Sequence, residues 1–165
     1  MKESLLHAHM QTAYNYAQCS NGIRLKVGAI IVKENRIISI GFNGTLPNDN
    51  NELEERIYVN SGDILGENQL FYDENGQVYT LKTKDTVIHA ERNALDKITQ
   101  SNESSVGATM FITHSPCKSC ALSIANVGIS AVYYSEEYRD NNGLDLLINR
   151  GISIKQIKLS AATVI

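Results

Sequence analysis

The 165-residue chain has no tryptophan, two prolines and three cysteines. An odd cysteine count, with two of the three close together, argues against a disulfide-stapled scaffold and leaves thiol chemistry or metal binding as the open readings. Long apolar runs are missing as well. Stretches such as Val27 to Val32 and Ala108 to Ile112 fall far short of the ~18 to 20 residues that span a bilayer, so no membrane helix is expected. Met1-Lys2-Glu3-Ser4 leads into a polar stretch with His7, His9 and Gln11, which lacks the apolar centre of a secretory signal. A cytoplasmic chain is the expectation. Basic charge is also scarce, with 15 Lys plus Arg against 18 Asp plus Glu and a formal net charge of -3. Duplex-binding proteins draw most of their affinity from a basic face that neutralises phosphates. No long nucleic acid is expected as a partner, and a small anionic substrate fits the balance better.

What is present suits one domain over residues 1–165 with a real core, since 42% of the residues are apolar and the length supports a core without cross-links. Charge is uneven: residues 46–87 hold nine acids and three bases, so this segment carries -6 and the remainder +3. Hydrophobic periodicity fades there into Asn, Asp, Glu and Gly. The segment therefore reads as an acidic, solvent-rich insertion, in which Phe71-Tyr72 and Val78-Tyr79-Thr80 flank the turn Asp73-Glu74-Asn75-Gly76 as a small hairpin.

Outside the insertion the pattern is regular. Leu5, Leu6, His9, Ala13, Tyr16 and Ala17 recur at spacings of three and four, which predicts an amphipathic helix over 3–19 stopped by Asn21-Gly22. Cys19 reads as a buried small hydrophobe at its end. Two β-branched runs at 27–32 and 36–42, joined by Lys33-Glu34-Asn35, predict an antiparallel hairpin. Helix and strand then alternate, with helices predicted over 90–98, 118–126 and 144–149 and strands over 108–113, 131–134 and 152–157. Alternation of this kind implies parallel neighbours joined by crossovers, hence a central sheet with helices on both faces.

The chemistry gathers at two predicted helix starts. His89-Ala90-Glu91 opens one, and Pro116-Cys117-Lys118-Ser119-Cys120 opens another. Cys117 and Cys120 project from the same end of a helix and can hold one ion. With His89 they make three ligands, one short of a closed tetrahedral zinc shell, and a catalytic zinc keeps its fourth position for water. Two helix N-termini facing the site favour anionic thiolates and hydroxide. Glu91, two positions after His89, can lie beside the metal without being a ligand and move protons between water and a leaving nitrogen. Taken alone, Cys117-x-x-Cys120 is equally the pattern of a thioredoxin-like redox pair or half of a structural zinc knuckle. The upstream His-x-Glu and the lack of a further cysteine pair weigh against both.

His-x-Glu followed by Pro-Cys-x-x-Cys resembles the signature of the zinc nucleobase deaminases. The turn Gly41-Phe42-Asn43-Gly44 and the segment Tyr134-Ser135-Glu136-Glu137-Tyr138 narrow the likeness to the deoxycytidylate (dCMP) deaminase family, over about residues 27–157 apart from the insertion. The resemblance implies an α/β fold, a three-layer α/β/α sandwich with a mixed five-stranded central sheet. It implies one catalytic Zn2+ held by His89, Cys117 and Cys120, and a zinc-bound hydroxide that attacks C4 of the cytosine ring while Glu91 protonates N3, giving dUMP and ammonia for thymidylate synthesis. Equivalent positions in relatives suggest that the Ala90 N–H and the Ser115 carbonyl address the pyrimidine O2 and 4-amino group and that Asn43 meets the sugar hydroxyl. Thr45, Arg24, Lys26 and Tyr138 are candidates near the 5′-phosphate. The family also suggests a homohexamer activated by dCTP with Mg2+ and inhibited by dTTP, bound near Gly41, Phe42, Asn43 and Gly44.

Two departures bear on this. Phe42 stands where Tyr is usual, which removes a hydroxyl donor. The insertion contains neither Cys nor His, so the second, structural zinc of some phage relatives has no ligands here. Other deaminases of cytosine nucleotides or nucleobases remain as rivals. Free cytidine deaminases usually bind zinc through three cysteines, tRNA and DNA deaminases need a basic surface, and riboflavin-pathway and guanine deaminases share the motif. From another class, a non-catalytic zinc-binding module would have no need of Glu91.

Overall fold

A computed structural model describes residues 1–59 and 69–159 of the chain. Asp63 and Glu67 of the acidic segment lie outside the described residues. The elements run α1 (Glu3–Ala17), β1 (Gly28–Lys33), β2 (Arg36–Phe42), β3 (Glu54–Tyr58), β4 (Phe71–Tyr72), β5 (Val78–Thr83), α2 (Ala90–Ile98), β6 (Thr109–His114), α3 (Lys118–Asn126), β7 (Ala131–Glu136), α4 (Asn142–Asn149) and β8 (Ser153–Gln156). Five strands form one mixed sheet in the order β2-β1-β6-β7-β8. The β2/β1 and β1/β6 pairs are antiparallel, and β6/β7 and β7/β8 are parallel.

Side-chain alternation along the central strands divides the core in two. From β1, Ile30 and Val32 join Phe111 of β6 against Leu6, Met10 and Ala13 of α1. Their neighbours Ala29, Ile31, Met110 and Ile112 face the other way, against Ala94, Leu95 and Ile98 of α2, Ala121 and Ile124 of α3, and Leu147 of α4. A period of two on each strand thus serves two helical layers at once. Each large side chain buried this way contributes roughly 1.5 to 3 kcal/mol. The expected three-layer α/β/α arrangement is the one observed, with α1 on one face and α2, α3 and α4 on the other.

Local sequence accounts for the main boundaries. Glu34 and Asn35 both adopt positive φ (50° and 61°), the requirement of a two-residue type I′ turn, and this closes the β1–β2 hairpin. Helix α1 ends at Ala17, its last buried residue. Cys19 lies in the turn beyond, its amide donating to the Tyr16 carbonyl at 3.0 Å, and it is exposed. The expected burial of Cys19 is therefore not observed, because the apolar stripe stops before reaching it.

The acidic segment holds more order than its sequence suggests. The hairpin of β4 and β5 is present, but β5 extends to Thr83 and pairs on its other side with β3, making a separate three-stranded sheet in the order β3-β5-β4. Strand β3, Glu-Glu-Arg-Ile-Tyr, is exposed along most of its length. It shows no alternation because, among the described residues, neither of its faces meets a core, and periodicity therefore gave no signal for it. Among the described residues, no helix is long and apolar enough to cross a membrane.

Candidate active site

Three chain segments converge at one end of the five-stranded sheet. His89 is the N-cap of α2, in extended backbone with φ -67° and ψ 153°. Cys117 is the N-cap of α3 (φ -67°, ψ 165°), and Cys120 is the third residue of that helix. The Ser115 amide donates to the Glu136 carbonyl at 2.8 Å, which ties the loop before Cys117 to the end of β7. Gly143, near the start of α4, packs on the same loop, and a Cβ there would meet the Pro116 carbonyl. Behind α2, the bridge between Gly44 and Ile88, with N–H to O distances of 3.1 and 2.8 Å, holds the approach to His89.

The His89 Nδ1 lies 3.4 Å from Cys120 Sγ and 3.7 Å from Cys117 Sγ, and the three donor atoms all fall within 4.8 Å of one another. Hydrogen bonds from Cys120, and next from His89, pull the Cys117 thiol down to about 4. Cys120 moves above the ordinary thiol range, first through its bond to Cys117 and then through burial. His89 is raised, chiefly by its bond to Cys117. Two thiols and an imidazole this close together would release protons to a divalent cation that bound among them. One nitrogen and two sulfurs fit zinc, and three protein ligands leave a position open. The exposed amides of the first turns of α2 and α3 add positive potential at the same point.

Glu91, the second residue of α2, is only 4% exposed. Burial pushes its carboxyl up to about 7, against the opposing pull of its own backbone amide and of His89. A carboxyl that gains and loses its proton near neutrality suits a proton shuttle. His89, Glu91 and Cys117 open onto a cavity of about 580 Å3, within the ordinary size range for small-molecule sites.

Of the other residues singled out in the sequence, Arg24, Asn43, Ala90, Ser115 and Tyr138 line this cavity. Asn43 also braces the wall, since its Oδ1 accepts from the Val27 N–H at 2.8 Å and its Nδ2 donates to the Leu25 carbonyl at 2.9 Å. Ser115 Oγ accepts the Tyr138 N–H at 2.8 Å. Two residues are not brought to the cavity. Thr45 lies outside its lining and hydrogen-bonds Asn51 at 3.3 Å, and Lys26 is exposed elsewhere on the loop. In the Gly41–Gly44 turn, Gly41 is packed so closely on α2 that a Cβ would lie 2.5 Å from the Ala94 nitrogen. The Phe42 carbonyl accepts from Asn93 Nδ2 at 2.8 Å, and the Lys97 ammonium sits 5.4 Å from the Phe42 ring centroid.

The cavity also includes residues that sequence reasoning missed. His114 and Arg139 adjoin the motif residues Ser115 and Tyr138, and that adjacency was a usable signal. Glu54, Lys82 and Thr83 come from the acidic segment, and only the pairing of β3 with β5 brings them there.

A central sheet flanked by helix starts that carry His-x-Glu and Cys-x-x-Cys is the architecture of the zinc-dependent nucleobase deaminases. The chain belongs to the family described as the cytidine and deoxycytidylate deaminase zinc-binding region, whose family model matches residues 3–136. It is 33% identical over 165 residues to the deoxycytidylate deaminase of Enterobacteria phage T2, covering 88% of each chain. It is 33% identical over 160 residues to the deoxycytidylate deaminase of Saccharomyces cerevisiae, covering 92% of this chain and 44% of the yeast protein. Among solved structures it is similar to the dCMP deaminase of the cyanophage S-TIM5 in complex with dCMP and dUMP. There the TM-score is 0.78 at 37% identity, with 95% of this chain and 99% of that one covered.

Proposed function

We propose that the chain hydrolyses dCMP to dUMP and ammonia in the cytoplasm, supplying dUMP for thymidylate synthesis. The observation that carries this reading is the convergence of His89, Cys117 and Cys120 beside a buried Glu91, on a cavity whose lining also includes the bases Arg24, Lys82 and Arg139 and the acids Glu54 and Glu137. Relatives named as deoxycytidylate deaminases support the choice of substrate.

His89, Cys117 and Cys120 would hold a zinc ion, which would lower the pKa of bound water and so supply a nucleophile near neutral pH. The Glu91 carboxylate takes a proton from the attacking water, delivers it to N3 of the pyrimidine and then serves the departing ammonia. The Ala90 N–H and the Ser115 carbonyl orient the base through O2 and the 4-amino group, and Asn43 meets the sugar. Arg24 and Tyr138 receive the 5′-phosphate. The same reading includes a homohexamer in which the Gly41–Gly44 turn responds to dCTP–Mg2+ and dTTP.

Purified protein is expected to contain about one zinc per chain, and chelation is expected to abolish ammonia release. Glu91→Gln is expected to keep the metal and lose activity by a factor on the order of 100 or more. Normal turnover by that variant would refute its role. Ultraviolet-monitored deamination of dCMP, dCTP, deoxycytidine and 5-substituted dCMP, with and without each effector, tests the substrate. A preference for the unphosphorylated nucleoside overturns the dCMP reading.

A further inference from the structure

The segment between α1 and β1 carries Arg24 and forms one wall of the cavity without regular secondary structure of its own. Its anchor comes from the small sheet. Glu54 Oε1 accepts the backbone N–H of Ile23 at 3.1 Å and that of Arg24 at 3.2 Å. The Arg24 Nη1 donates to Thr83 Oγ1 at 3.2 Å. Glu54 and Thr83 face each other directly in the β3–β5 ladder, so one cross-strand pair grips both the backbone and the guanidinium of Arg24. The grip is rooted in the fold, because Leu53 is buried and its carbonyl accepts the Lys84 N–H at 2.9 Å.

The chemistry of the grip is selective. Thr83 is a neutral partner, and among the described residues Arg24 makes no ion pair. Its guanidinium therefore remains available to pair with an anionic ligand, while its position is already set. A loop ordered in advance does not have to be ordered by the ligand, and that raises affinity without touching the reacting atoms. Glu54 supplies acceptor capacity for two N–H groups, a role that needs a side-chain oxygen and not its charge.

We propose that Glu54 and Thr83 are positioning residues that preset Arg24 for the 5′-phosphate, which makes the acidic insertion a working wall of the active site. This inference rests on the dCMP reading above. Glu54→Ala is expected to raise KM for dCMP roughly tenfold, the loss expected when the two hydrogen bonds that order the loop are removed, with kcat within about twofold. KM for deoxycytidine is expected to stay unchanged. Glu54→Gln, which keeps an oxygen acceptor, is expected to restore the KM for dCMP, and Thr83→Ser is expected to be milder than Thr83→Val. In an Arg24→Ala background, Glu54→Ala is expected to add nothing further. Zinc content measured on every variant reports an intact site.

Should Glu54→Ala act equally on dCMP and deoxycytidine, or act in full without Arg24, the positioning role is overturned even though dCMP remains the substrate. Should the unmodified protein prefer deoxycytidine, the dCMP reading fails and the inference falls with it.

Discussion

The two sheets of this molecule are held in opposite ways. The central strands β1 and β6 are buried on both faces, each with a run of side chains closed off from solvent, and they fix the helix starts that carry His89, Glu91, Cys117 and Cys120. Among the described residues the three-stranded sheet has no comparable core. It is held by ladder hydrogen bonds and a surface row of aromatics, in which Tyr79 stacks on Phe71 at 5.6 Å and lies 5.8 Å from Tyr58, with Arg56 4.8 Å from the Tyr79 ring. Close packing permits only small displacements, which a three-donor metal cluster requires. A ladder-held sheet tolerates far more change in sequence while still bringing polar groups to a cavity wall. The rigid region holds the cluster of His89, Cys117 and Cys120, and the looser one grips Arg24 at the cavity wall.

Three measurements sharpen that contrast. The largest effect is expected from Gly41→Ala on the β2–α2 contact, where the new methyl meets the Ala90 carbonyl and the Ala94 nitrogen. Overpacking of this kind costs about 1 to 3 kcal/mol. Urea unfolding is expected to register that loss, and zinc analysis a lower occupancy, since α2 carries the His89 start. A smaller effect concerns pH. Burial lowers the pKa of His9 below its usual value, and among the described residues its Nε2 has no hydrogen-bond partner. Between the folded value and 6.5 the unfolded chain binds more protons, so stability is fully present above 6.5 and falls as pH drops below it. The fall between pH 7 and pH 5 is expected to be shallower in His9→Phe. The smallest effect is expected from Tyr72→Thr on the exposed strand β4, within about 0.5 kcal/mol and with unchanged kcat. If Tyr72→Thr destabilised the protein as much as Gly41→Ala, the contrast between the sheets would be wrong.

Most of the large sheet was legible in the sequence because its strands and helices bury a face, and burial imposes a period that residues reveal. The helices at α2, α3 and α4 and the parallel strands between them followed from that pattern alone. Strand β3 escaped because Glu54, Glu55 and Arg56 stand side by side with no buried neighbour to enforce alternation. Cys19 was misplaced by two residues' worth of helix: the apolar stripe closes at Ala17, and chain direction past that point is set by packing. Within the candidate site, Thr45 and Lys26 were expected near the 5′-phosphate, but neighbouring side chains in a loop diverge, and these two do not line the cavity.

The sequence by itself determined the donor set, because His-x-Glu and Cys-x-x-Cys are each confined to one helix start, where backbone geometry over three or four residues decides which atoms face the same way. Only the tertiary structure decided that His89 and Cys117, 28 residues apart, meet in one cluster, and that Glu54 and Thr83 reach across to Arg24. Contacts of that kind depend on strand register and on which helix packs against which face. Those are properties of the whole chain's burial and are written in no single segment of it.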